Sequence, residues 1–125
     1  MPRIVLATPR PEAWQAFAAA LTSDPEVHLM RVVSGATALE AARAFAPHLM
    51  IIDSDLPDTG PLDLVRKLLM VNAMVNTAVV SPLSDAEFHE ASEGLGVLGR
   101  LPAEPDRRAA ADLLHKLRKV LGEMS

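Results

Sequence analysis

Residues 47–57 have the sequence Pro-His-Leu-Met-Ile-Ile-Asp-Ser-Asp-Leu-Pro, and this stretch decides the fold. The apolar run at residues 49–52 is typical of a short strand that is buried on both faces of a parallel sheet. Pro57 has no backbone N–H, so the strand cannot continue through it. Asp53 therefore follows the carboxyl end of a buried strand, where open α/β sheets place their functional groups. The alternative is that Asp53 only caps or turns the chain.

Strand and helix patterns alternate along the whole sequence. Short apolar segments predict strands at residues 4–7, 28–33, 49–52, 77–80 and 97–101. Apolar residues at helical spacing predict helices at residues 11–21, 36–45, 61–70, 84–94 and 106–124. This alternation predicts a flavodoxin-like (βα)5 three-layer sandwich, with a parallel five-stranded sheet in the order 2-1-3-4-5. No boundary interrupts it, so residues 1–125 are expected to form a single domain.

Composition excludes several classes of function. The chain has no Cys, which rules out disulfides and thiolate zinc sites. A net charge of -4, no Tyr and one Trp argue against a nucleic-acid partner, which needs a basic surface or aromatic stacking platforms. Apolar stretches are too short to span a membrane, and the first residues lack a signal-peptide pattern. A cytoplasmic protein without membrane association is expected.

With these elements placed, the chain resembles the receiver domain of two-component response regulators along nearly its full length, most clearly at residues 47–57. The resemblance implies that Asp53 accepts a phosphoryl group from a histidine kinase. It implies that Ser81 is the switch hydroxyl that bonds the phosphoryl oxygen. Leu101-Pro102 corresponds to a Lys-Pro pair in the family, which makes Pro102 a candidate for a cis peptide bond. Such a domain acts in phosphorelay signal transduction and is not itself an enzyme.

Four positions depart from the family pattern. Thr8 and Pro9 stand where receivers have an acidic pair that binds Mg2+, a cation that requires oxygen ligands. Leu101 replaces the lysine that pairs with the phosphoryl group, and leucine cannot form a charge-assisted hydrogen bond. Leu98 stands where the family often has an aromatic residue that reports activation. Phosphoryl transfer depends on the metal to neutralise charge, so phosphorylation is expected to be impaired.

Three functions remain open. The favoured one is an atypical receiver that acts through protein–protein interaction, with weak Mg2+ affinity from Asp53, Asp55 and Thr8. The second is a working phosphoacceptor, in which Asp55 substitutes for the missing metal ligands. The third is a flavin or nucleotide site, which is disfavoured because Pro9 and Pro11 remove two backbone donors.

The resemblance also implies the kinds of partner. A histidine kinase or a downstream signalling protein is expected, and a homodimer through the fourth helix, fifth strand and fifth helix is a further way of assembly. If phosphoryl transfer is lost, Asp53→Asn is expected to change stability and partner binding only mildly.

Overall fold

A computed structural model of the chain describes residues 2–81 and 83–122. Five strands are present in it: β1 Arg3–Ala7, β2 His28–Val32, β3 Leu49–Ile52, β4 Asn76–Val80 and β5 Val97–Leu101. Five helices alternate with them: α1 Gln15–Thr22, α2 Gly35–Phe45, α3 Pro61–Val71, α4 Asp85–Ser92 and α5 Arg107–Leu121. All neighbouring strands are parallel, in the order β2-β1-β3-β4-β5. The predicted flavodoxin-like fold is confirmed.

The sheet is covered on both faces, as the continuous apolar strands require. Because side chains alternate along a strand, Ile4 and Leu6 of β1 belong to one core layer and Val5 and Ala7 to the other. Helices α1 and α5 cover the first layer, and α2 and α3 cover the second. Each large apolar side chain buried in these layers contributes on the order of 1.5–3 kcal/mol. No helix within residues 2–81 and 83–122 is long and apolar enough to cross a membrane.

Two helix boundaries differ from the sequence prediction. The first predicted helix begins as a 3-10 turn at Pro11–Trp14, because Trp14 leaves the helical conformation with φ −107° before α1 starts. The last helix ends at Leu121, where Gly122 takes a left-handed conformation that favours glycine. Met124, to which this helix was predicted to extend, lies outside the described residues. The apolar periodicity of this helix also predicts that Val120 faces inward, whereas its side chain is 55% exposed.

Helix α4 is held to the sheet by one arginine of β5 and by one half-buried aromatic side chain of its own. None of its residues is buried, and a capping box between Ser84 and Glu87 closes its first turn. Arg100 donates to the Leu83 carbonyl, pairs with Asp85, and lies 5.8 Å from the centre of the Phe88 ring. The helix therefore combines these polar contacts with the half-buried ring of Phe88, which packs against the second core layer.

The loop after β3 is anchored to the start of α2. Asp58 accepts hydrogen bonds from the backbone N–H groups of Gly35 (2.7 Å) and Ala36 (3.0 Å). These two bonds hold the pKa of Asp58 below its ordinary value. The anchor fixes the loop that carries Asp55, and it requires close approach at Gly35.

A side chain at position 35 is expected to break this anchor. A Cβ on Gly35 would lie 2.5 Å from Cγ2 of Thr59 and 3.1 Å from Oδ1 of Asp58. Gly35→Ala should therefore lower the free energy of unfolding by about 1–2 kcal/mol, a typical cost for a crowded site. Urea unfolding measures the change. Gly99→Ala is the matched control, since its Cβ would have no neighbour closer than 3.8 Å, and equal losses in both variants would contradict the prediction.

Candidate functional site

Asp53 is a fully buried carboxylate at the carboxyl edge of the sheet. Its backbone N–H donates to the Ala7 carbonyl at 2.9 Å, so it directly continues the pairing of β3 with β1. The neighbouring residue on the other side is Val80 at the end of β4, by the register of the β3–β4 pair. Asp53 is thus held by the ends of three strands, as its position in the sequence predicts.

Four hydrogen bonds converge on the Asp53 carboxylate. Oδ2 accepts from Thr8 Oγ1 at 2.6 Å, from Arg10 Nε at 2.9 Å and from Trp14 Nε1 at 3.0 Å. Oδ1 accepts from Arg10 Nη2 at 3.1 Å. The two Arg10 bonds form a bidentate pair, the strongest geometry between an arginine and a carboxylate.

The Arg10 guanidinium also joins two further segments to Asp53. Its Nε lies 3.3 Å from Oδ2 of Asp55, and its Nη2 donates to the Ala103 carbonyl at 2.8 Å. The loops after β1, β3 and β5 therefore meet at one cation. Only 27% of the Arg10 side chain is exposed, so this pairing is less screened by solvent than a surface ion pair.

These contacts decide the ionisation of Asp53. Burial alone raises the pKa of a carboxyl group, but the hydrogen bonds from Arg10, Thr8 and Trp14 outweigh it and hold the pKa of Asp53 below its ordinary value. The bond to Asp53 likewise raises the pKa of Arg10. Both groups are therefore charged at neutral pH, and they form an internal ion pair.

Comparison with known proteins shows a fold and no near relative. No protein-family model and no curated protein sequence matches the chain. Similar solved structures include the CheY-like receiver domain protein of Methanospirillum hungatei, with TM-score 0.79, 18% identity and coverage of 98% of this chain and 95% of that one. The response regulator domain of Thermotoga maritima CheB has TM-score 0.78 at 18% identity, covering 98% and 97% of the two chains. The chemotaxis regulator CheY4 of Vibrio cholerae has TM-score 0.79 at 14% identity, covering 94% and 98%.

The chain has the receiver fold. At 14–18% identity these likenesses concern the backbone, so the role of each side chain depends on the site itself. Within this receiver fold, Asp53 and Thr8 are brought into direct contact, and Asp55 joins them through Arg10.

Ser81 directly follows β4, on the same edge of the receiver fold. Its Oγ accepts a hydrogen bond from the Leu83 backbone N–H at 3.2 Å. Among the described residues, no hydrogen bond joins Ser81 to Asp53. Its predicted role as the switch hydroxyl stays a prediction.

The departing positions have structural roles of their own. Leu101 is 6% exposed and packs in the core layer that contains Trp14, and Leu98 packs against that layer from its edge. Pro9 is exposed and offers no side-chain ligand. The site of the family lysine is thus part of the apolar core in this chain.

The expected cis peptide bond at Pro102 is wrong. No peptide bond is cis within the described ranges, which include the Leu101–Pro102 bond. The trans form of an X–Pro bond is favoured by about 0.5–1 kcal/mol unless tertiary contacts oppose it. With leucine in place of lysine, the packing of Leu101 is satisfied in the trans conformation, and the following carbonyl of Ala103 reaches Arg10.

The donor set around Asp53 does not fit a Mg2+ site. Mg2+ requires about six oxygen ligands in octahedral geometry, and no three His, Asp or Glu side chains of the described chain converge for a metal. The two available carboxylates, Asp53 and Asp55, both already contact Arg10. A cation is therefore already present in the form of the guanidinium.

Sequence reasoning missed the two residues that complete the site. Trp14 lies in the predicted helix at residues 11–21, but no site role was predicted for it, although its indole N–H is one of the donors to Asp53. Arg10 was not considered at all. The available signal was the segment Thr8-Pro9-Arg10, which places a cation in the loop after β1, opposite an aspartate that ends a neighbouring strand. The expectation that Asp53→Asn would be mild does not fit these contacts.

The low pKa of Asp53 predicts a loss of stability in acid. A carboxyl group with a pKa lower in the folded than in the unfolded state stabilises the fold above the unfolded-state pKa of about 4. That contribution disappears as pH falls through the lower folded-state pKa. Urea unfolding between pH 7 and pH 2 should therefore show a decline that is shallower in Asp53→Asn, which has no titrating group there. Parallel curves for the two proteins would contradict the ionised state of Asp53.

The coupling between Arg10 and Asp53 is measurable by a double-mutant cycle. Removing one partner leaves a buried group uncompensated, so Arg10→Ala and Asp53→Asn should each destabilise the fold by about 1–3 kcal/mol. The double variant should lose less than the sum of the two. Trp14 is the single tryptophan and bonds to Asp53, so its fluorescence should change in both single variants. Arg66→Ala, which removes an exposed pair with Asp63, is the control, and strict additivity in the cycle would argue against the pair.

Proposed function

We propose that this chain is a receiver-fold signalling domain that acts by contact with a protein partner, with impaired Mg2+-dependent phosphorylation at Asp53. One observation carries the proposal: the guanidinium of Arg10 is bound to both carboxylate oxygens of Asp53. An acceptor aspartate needs a free oxygen lone pair and a bound metal ion, and Arg10 competes with both.

The first argument concerns the nucleophile. Phosphorylation requires an Asp53 oxygen to form a bond to phosphorus, and activated nucleophiles normally have a base or metal beside them. Here both oxygens of Asp53 accept hydrogen bonds, and Oδ2 alone accepts three. A depressed pKa further weakens the carboxylate as a nucleophile. Oδ1 accepts one bond, from Arg10 Nη2, and its remaining lone pair lies beside the guanidinium, so attack through Oδ1 would work against this charge-assisted bond and add to the activation barrier.

The second argument concerns the metal. Mg2+ at Asp53 would lie near the positive guanidinium. Two unit charges 4 Å apart repel by about 4 kcal/mol at an effective dielectric constant of 20, and Mg2+ carries two. Thr8 adds one neutral oxygen and Pro9 none, so little offsets this repulsion. Weak Mg2+ affinity follows from the charges already present.

The third argument concerns the product. An acyl phosphate at Asp53 would place about two negative charges beside Leu101, an apolar core residue. No lysine is available there to pair with them. The cation beside the site, Arg10, is already bound to Asp53, Asp55 and Ala103, so a phosphoryl group would gain it as a charge partner only by displacing these contacts.

What remains of the receiver fold is a surface for protein contact. Its structural neighbours include response regulator domains, which motivates a signalling partner, either a kinase or a downstream protein. On α5, the exposed cations Arg107, on the side of α1, and Lys116, on the side of β5, are candidate contacts for an acidic partner, as are Arg108 and Lys119. A homodimer would form through the adjacent surface that α4, β5 and α5 share. The domain would be a non-enzymatic cytoplasmic protein with neither nucleic acid nor membrane as a partner.

The two alternatives have less support. A working phosphoacceptor would need Asp55 as a metal ligand, yet Asp55 lies 3.3 Å from the same arginine. A flavin or nucleotide site would need backbone donors after β1, where Pro9 and Pro11 supply none. No contact of the described residues favours either one.

Phosphorylation by acetyl phosphate and Mg2+, followed by intact-protein mass spectrometry, tests the proposal. The unmodified chain should gain little or no phosphoryl mass under conditions that label an ordinary receiver domain to completion. A variant that combines Thr8→Asp, Pro9→Asp and Arg10→Ala restores the acidic pair and frees Asp53, so it should gain a phosphoryl group.

Two controls make this result specific. Adding Asp53→Asn to the triple variant should abolish the gain, and Asp55→Asn in the unmodified chain tests the substitute-ligand alternative. Stoichiometric labelling of the unmodified chain that disappears in Asp53→Asn would mean that the domain is a working phosphoacceptor.

A further inference from the structure

A cavity of about 690 Å3 lies at the carboxyl edge of the sheet, beside the Asp53 cluster. Its volume falls within the range of about 300–1,000 Å3 that is usual for small-molecule sites. It is bounded by the loops after β3, β4 and β5 and by the start of α3. Such walls offer a hydrocarbon or aromatic body a place to leave water. The apolar lining residues are Pro61, Leu62, Val80, Leu83 and Ala103.

The two charged lining residues of this cavity are both already paired. Nε of Arg10 lies 3.3 Å from Oδ2 of Asp55, and Nη1 of Arg66 lies 2.8 Å from Oδ1 of Asp63. A cationic ligand would therefore meet carboxylates that each have an arginine beside them. An anionic ligand would meet the same two carboxylates and no basic side chain among the described lining residues. Neither sign of charge gains an unpaired partner here, and a charge that leaves water without one is costly to bury.

Two serine hydroxyls are the remaining polar side-chain groups of the wall. Among the described residues, the Ser54 hydroxyl makes no hydrogen bond. Oγ of Ser81 accepts one, from the Leu83 backbone N–H at 3.2 Å. Both hydroxyls therefore retain a proton to donate. A ligand oxygen such as a carbonyl can accept that proton, whereas an ammonium group has no lone pair to do so.

We propose that this cavity binds an uncharged organic molecule, with an apolar body against Leu62, Val80 and Ala103 and a carbonyl oxygen that accepts from Ser54 or Ser81. Nucleotides and phosphodonors do not fit, because the wall has no free partner for their anionic groups. Binding requires no phosphoryl group on Asp53, so this inference and the proposed function can fail separately.

Three probes with a common phenylalkyl body test whether the ligand is uncharged: 4-phenylbutan-2-one, 4-phenylbutan-2-amine and 3-phenylpropanoate. Each is titrated at neutral pH into the full 125-residue chain and followed through backbone amide NMR shifts. The ketone should give saturable shifts at Ser54, Leu62, Ser81 and Ala103. The amine, a cation at this pH, and the carboxylate should each bind about tenfold more weakly or worse, because each must give up water around a charge that finds no partner.

Variants locate the binding in the cavity. Combining Ser54→Ala with Ser81→Ala should weaken ketone binding about three- to tenfold, the usual effect of a lost hydrogen bond. The matched control is Ser23→Ala, which removes a hydroxyl at the end of α1 outside the cavity and should leave ketone binding unchanged. Ala103→Phe places a ring at an exposed position of the cavity wall, so it should abolish ketone binding while unfolding remains cooperative.

Four results would overturn the proposal. An amine or carboxylate that binds as tightly as the ketone would show that the cavity does not select an uncharged ligand. Unchanged affinity in the double serine variant would contradict the hydrogen bond to the ligand. Ketone shifts that persist in Ala103→Phe would place binding elsewhere. Absence of saturable shifts for the ketone in the unmodified chain would show that the cavity does not bind such molecules.

Discussion

The ionised carboxylate of Asp53 has no exposure to water, and this constraint shapes the whole carboxyl edge of the sheet. A buried charge costs several kcal/mol unless it is paired and hydrogen-bonded. The chain meets the requirement with Arg10, Thr8 and Trp14, which come from one segment after β1. Since Arg10 also bonds to Ala103, the same compensation fixes the loop after β5. The conformation of three loops thus depends on one ion pair.

Trp14 shows how the core and the site are joined. Its ring packs edge-to-face on Phe17, with 5.1 Å between centroids, in the apolar layer that also holds Leu101. Its indole N–H faces the Asp53 carboxylate. The apolar layer therefore extends up to the Asp53 carboxylate. Apolar packing and internal pairing stabilise the same carboxylate position.

The fold was predictable because its signals are local and repeated. The run Leu49–Ile52, followed by Asp53 and Pro57, indicates a buried parallel strand that stops at the functional edge. The alternation of strand and helix patterns along the chain then fixes the topology. The contacts of Asp53 were predictable only in part. Position relative to strand ends brings Thr8 to Asp53, but the direction of a long arginine side chain depends on rotamers and on the Ala103 carbonyl, 93 residues away. The direction of the Arg10 side chain therefore depends on the tertiary structure and is not visible in the local sequence.

The pairing of Asp53 with Arg10 also restricts which parts of the domain a regulatory ligand or partner can contact. In a two-state element, a ligand shifts the equilibrium only by its different affinity for the two states. The Asp53 carboxylate is buried, whereas α4 has no fully buried residue and is held by Arg100 and by the half-buried Phe88. A partner that contacts α4 would therefore meet the exposed Arg100 and the half-buried Phe88 without a contact to the Asp53 carboxylate.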